Sequence, residues 1–149
     1  MSDEEFIELL RAHDDPENAE TPPGFDRAAA ESDFVTFAKH LNSVLGVECE
    51  FETGAMIQDA SHHGSIRLPQ SFLMESDTIS VRLSNFGRFC SVYNDDTVLK
   101  PDVLQTIKRL ASEHGYIYIP SRVLGLTYDG KNPGVSGFRD WGERFFDWI

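Results

Sequence analysis

Long apolar runs are missing from this 149-residue chain, and nothing in it approaches the roughly 18 consecutive apolar residues of a membrane-spanning helix. The opening residues, Met1-Ser2-Asp3-Glu4-Glu5, are acidic where a secretory leader is basic. The expectation is a cytoplasmic protein, neither inserted nor exported. Cysteine is scarce too. The two present, Cys49 and Cys90, are too few for the disulfide framework of a small secreted domain, and both fall in strand-like stretches, so they read as buried thiols. Basic residues are outnumbered, 13 against 25 acidic ones, for a formal charge of −12. The imbalance is concentrated: residues 1–50 hold 13 acidic and 3 basic side chains and so carry −10 of the total. Such a chain repels phosphate backbones and anionic lipid surfaces, which argues against nucleic-acid and membrane partners and in favour of a basic protein.

Catalytic and cofactor signatures are equally absent. There is no G-x-S-x-G elbow, no G-x-x-x-x-G-K-[ST] loop and no G-x-G-x-x-G opening a helix. Neither cysteine neighbours a histidine that would activate it. The turn-rich segment Asp129–Gly134 lacks the spaced ligands and closing glutamate of a calcium hand. Asp59, His62 and His63 place three candidate metal ligands within five residues. Consecutive residues on a strand point to opposite faces, however, and His13, His40 and His114 lie far apart in the chain, so neither a metal nor a cofactor is expected.

What the chain does contain is enough apolar surface for one core, 40% hydrophobic and 11% aromatic, which suits a single domain over residues 1–149. Ser2 and Glu5 have capping-box spacing, and Phe6, Leu9 and Leu10 follow at helical intervals, predicting a short helix over 3–12. Residues 13–24, with Pro16, Pro22 and Pro23, read as a loop or mobile linker on which that helix docks loosely. Phe34, Phe37, Ala38, Leu41, Val44 and Leu45 predict a second helix over 27–45 with Gly46 as its cap. The period then falls to two. Val47, Cys49 and Phe51 alternate with Glu48, Glu50 and Glu52, predicting a strand that projects three carboxylates together. Further strands are expected at 55–60, 65–69, 78–83, 89–93, 116–119 and 123–128, and a helix opens at Pro101 and stops at Gly115. Phe138, Trp141, Phe145 and Trp148 recur at helical spacing and predict an aromatic C-terminal helix. The fold class is therefore α+β, a mostly antiparallel sheet of about five to seven strands packed against helices.

Two sets of residues are candidates for binding. Glu48, Glu50 and Glu52 form an acidic face, with Asp14, Asp15, Glu17 and Glu20 as a second acidic stretch. Trp141, Phe145 and Phe146 are the aromatic candidates: such residues populate both cores and interface hot spots, and packing of this helix over the sheet is the leading use, with contact of part of it to a partner the alternative. Adjacent Phe145 and Phe146 are expected to face different surfaces.

The segments Gly115-Tyr116-Ile117-Tyr118-Ile119-Pro120, Tyr128-Asp129-Gly130 and Trp141-Gly142-Glu143-Arg144-Phe145-Phe146-Asp147-Trp148 carry a resemblance. The W-x-x-R-F-F-D-W tail resembles those of small acidic bacterial immunity-type proteins encoded beside polymorphic toxins. What that implies is a non-enzymatic antidote that docks on a toxin and blocks its active site; it assigns no binding residues. A second reading is a small enzyme or ligand-binding domain with a pocket between sheet and helices, where Asp59, His62 or His63 matters. A third is a subunit whose C-terminal aromatic helix completes an oligomer.

Overall fold

The computed structural model describes residues 1–148. Helix α1, Asp3–Ala12, begins where Ser2 and Glu5 exchange the reciprocal bonds of a capping box. It buries Phe6, Ile7 and Leu10 on one stripe. Helix α2, Arg27–Leu45, is capped by the Asp26 carboxylate and closed by Gly46, whose φ of 70° lies in the left-handed region that glycine adopts without penalty. Phe34, Phe37, Ala38 and Leu41 are buried along it as the pattern predicts, whereas Val44 is 43% exposed on the last turn, where Leu45 takes the inward position.

Five strands follow in the order β1-β2-β3-β4-β5: β1, Phe51–Thr53; β2, His62–Arg67; β3, Ser80–Ser84; β4, Phe89–Val92; and β5, Ile117–Tyr118. The first four pair antiparallel and β5 runs parallel to β4, so the sheet is mostly antiparallel, as expected. A parallel partner needs a long crossover. The short α3, Asp95–Val98, and the amphipathic α4, Pro101–Glu113, provide it. Two final helices, α5, Ser121–Leu124, and α6, Trp141–Phe146, complete the chain.

Several expected boundaries shift for local reasons. Residues 55–60 are not a strand: Gly54, at φ 64°, turns the chain into one turn of 3₁₀ helix and β1 ends there. Residues 123–128 are not a strand either. Asp95 accepts a bond from the Ser121 backbone N–H, the chain winds into α5 behind Pro120, and only a single bridge, Thr127 to Asp140, forms afterwards. The C-terminal helix is shorter than its aromatic spacing suggests because the Asp140 side chain caps Glu143 and Asp147, at φ 57°, ends the helix.

Two apolar clusters result. One lies between α2, α4 and the sheet face formed by Ile66, Val81, Leu83, Cys90 and Val92. Its layers come close enough that a Cβ at Gly64 would overlap the Phe34 ring. The other joins Phe86, Phe89, Ile119, Val123 and Leu124 to α1 and α6. The segment 13–24 has neither helix nor strand, but it is not the loose linker expected. Arg144, with no exposed surface, bonds the carbonyls of Asp15, Asn18 and Ala19 and pairs with Asp14 at 2.8 Å. The loop is thereby a strap across α6.

Candidate functional site

Glu48, Glu50 and Glu52 are exposed, flanking the buried Cys49 and half-buried Phe51, so the predicted alternation of faces survives even though only the last of the three glutamates lies in the ladder of β1. The Arg67 backbone N–H donates to the Glu50 carbonyl at 2.8 Å and carries the pairing back past the strand's formal start. β1 is an edge strand. Glu48 and Glu50 rim a shallow depression of about 420 Å³, shared with Asp77, Gln70 and Arg67. Arg67 approaches Glu50 only to 4.0 Å, with the two side chains 60% and 86% exposed. An ion pair that open to solvent compensates little charge. The depression thus gathers three carboxylates around one weakly engaged guanidinium.

The aromatic residues take the packing role and not the partner contact. Trp141, Phe145 and Phe146 are all buried, at 1%, 0% and 0% exposure. Trp141 stacks on Phe145 at 5.8 Å, Phe145 meets Phe89 edge-on, and Phe146 stacks on Trp148 at 5.2 Å. In this six-residue helix only Glu143 is not buried, so adjacent Phe145 and Phe146 are both enclosed. These residues are core, and they offer a partner no surface. Among the loop acids, Asp14 is likewise committed to Arg144 and to the Tyr128 hydroxyl, and Asp15 caps the backbone N–H groups of Glu17 and Asn18.

His62 and His63 separate to opposite sides of β2. His62 bonds the Asp147 carboxylate, which also accepts from the Ser61 backbone. His63, 4% exposed, turns toward α2 and bonds the Asn85 side-chain oxygen at 3.1 Å. Among the described residues no group of three or more His, Cys, Asp and Glu side chains is placed to hold a metal. Burial, partly offset by the Asn85 bond, lowers the His63 pKa to about 4, so the ring is neutral at ordinary pH. Both cysteines are free and buried, and burial raises both thiols, which disfavours the thiolate form.

His63 also lines an open cavity of about 610 Å³ bounded by the strap residues Pro22 and Pro23, by Phe25 just after the strap, by Ala29 and Ala30 of α2, and by Tyr116. No local signal in the chain announces this grouping. His63 and Asn85 lie 22 residues apart and Tyr116 further on. The aromatic run Tyr116–Ile119 is the one cue, and it reads simply as strand.

Comparison of the chain with protein-family models, with curated proteins and with solved structures finds no match.

Proposed function

We propose that this chain is a non-enzymatic interaction protein of the immunity type, which docks on a basic partner such as a toxin with a positively charged cleft and blocks it. The observation that carries the reading is the depression beside β1, where Glu48, Glu50 and Asp77 stand with only Arg67 nearby. A lysine or arginine from a partner entering it gains charge-assisted bonds to carboxylates that are otherwise uncompensated. At longer range, a net charge of −12 steers the encounter and raises the association rate more than it raises the final affinity. The burial of both thiols and the separation of His62 from His63 leave no assembled nucleophile and base among these side chains, which favours binding over turnover.

A plainer account of the same residues is that charge on a short edge strand blocks edge-to-edge aggregation. The test therefore uses lysine, which guards an edge equally well while reversing the sign. Tagged protein retrieves its partner from native lysate, and association rates are then measured for the parent and for Glu48→Lys/Glu50→Lys/Glu52→Lys. The expected result is association slowed about tenfold or more at low salt, with the difference shrinking in 0.5 M salt as screening shortens the electrostatic reach to about 4 to 5 Å. Equal rates at low salt would remove this face as the docking surface.

A further inference from the structure

We infer that the cavity between the strap, α2 and β2 is a binding site for a small, flat, uncharged molecule that carries an N–H or O–H donor. The inference goes beyond the docking reading and rests on different residues.

Its central group is His63, whose tautomer follows from its surroundings. The Asn85 side-chain NH₂ donates to the carbonyls of Glu20 and Ala60, at 2.8 and 3.0 Å. That orientation turns the Asn85 oxygen to His63 Nδ1, so Nδ1 must carry the hydrogen. Nε2 is then a bare acceptor, and it is buried without a hydrogen-bond partner in the protein. Tyr116, 5% exposed, also lines this cavity, and its buried hydroxyl has the Arg88 guanidinium as a neighbouring donor. Buried polar atoms are paired in the great majority of cases, and leaving one unpaired costs about 1 to 3 kcal/mol. Such an atom on His63, a side chain that lines an open pocket, points to a ligand that supplies what the protein does not.

The rest of the wall sets the chemical class. Pro22, Pro23, Phe25, Ala29 and Ala30 make much of it apolar, with His13, Ser84 and Asn85 as uncharged polar neighbours. The Phe25 ring lies 5.9 Å from that of His63, which suits a flat guest. The cation at the rim is already engaged: Arg88 donates to the carbonyls of His114 and Gly115, approaches Asp33 at 3.3 Å and lies over the Tyr116 ring. Asp26 and Asp33 also line the opening, so an anion is repelled. A volume of about 610 Å³ lies in the range of small-molecule sites. The Nε2 atom of His63 is sealed from bulk water, so a guest reaches it by displacing part of the wall. Phe25, half-buried and next to Gly24 at φ 75°, is the side chain placed to yield.

The test uses the full chain, labelled with ¹⁵N and ¹³C, and two matched probe pairs: phenol with anisole, and indole with 1-methylindole. Within each pair only the donor is lost. The His63 imidazole nitrogens and the Tyr116 ring are followed by NMR during titration. Phenol and indole are expected to saturate, shifting His63 Nε2 and Tyr116 together, while each methylated partner binds at least tenfold more weakly. In His63→Phe, with folding checked by the dispersion of the remaining signals, that discrimination should vanish; in Tyr116→Phe it should persist. Equal binding of donor and methylated probes, shifts centred elsewhere, or no saturation by either donor at millimolar concentration would overturn the proposal. No protein partner is involved, so this outcome is separate from that of the charge-reversal experiment.

Discussion

Arg144 carries a full charge with no exposed surface. Its compensation is distributed over the Asp14 carboxylate, three strap carbonyls and the faces of Phe86, Phe138 and Phe145. Removing one partner of a buried pair leaves the other charge stranded, which costs about 3 to 5 kcal/mol. Asp14 holds the Tyr128 hydroxyl and the Lys131 backbone as well. Asp14→Ala should therefore lower the melting temperature by roughly 10 °C, and the double variant Asp14→Leu/Arg144→Met should recover part of that loss; a double variant no better than the single would mean that the strap, and not the charge, is what Asp14 secures. His63 gives a pH-dependent counterpart. Its folded pKa of about 4 lies below the ordinary 6.5, so the unfolded chain binds the extra proton between those values. Its contribution is fully present above pH 6.5 and is lost as pH falls toward 4, by about 3 kcal/mol in all. Urea unfolding at pH 7 and pH 4.5 should show a smaller acid loss for His63→Gln than for the parent chain. Equal losses would mean that the imidazole is not sealed.

Among the elements, β2 has the least room for change. Gly64 faces the Phe34 ring of α2, and any Cβ there must push aside a fully buried aromatic side chain. Overpacking of this kind costs about 1 to 3 kcal/mol. Gly64→Ala should lose that much stability in chemical denaturation, and adding Phe34→Leu should relieve some of it. If Gly64→Ala alone is neutral, α2 sits further from the sheet than described. Helix α6 is constrained differently. Its start and end are set by Asp140 and Asp147, so its length is decided by two caps and its burial by the strap laid over it. The aromatic spacing around it is core patterning.

Over the whole molecule, the acidic first third of the chain is divided between two places. Glu48 and Glu50 rim the depression beside β1 at one edge of the sheet, while α1 and the strap carry their acids over the aromatic cluster around Phe89 and β5. No helix among the described residues is long and apolar enough to cross a membrane. Periodicity and punctuation in the chain were sufficient to determine α1, α2 and α4 with their caps, the α+β class and the alternation of Glu48, Glu50 and Glu52 about Cys49, because helix and strand signals act over a few residues and Ser2, Gly46 and Pro101 interrupt them locally. Only the tertiary structure decided that Trp141, Phe145 and Phe146 are enclosed, that residues 13–24 form a strap, and that His63, Asn85 and Tyr116 meet at one cavity. Each of these depends on contacts between residues from 22 to 130 positions apart. A side chain's chemistry is written at its own position, but whether it is covered, paired or left with a free lone pair is set by whatever the fold brings beside it.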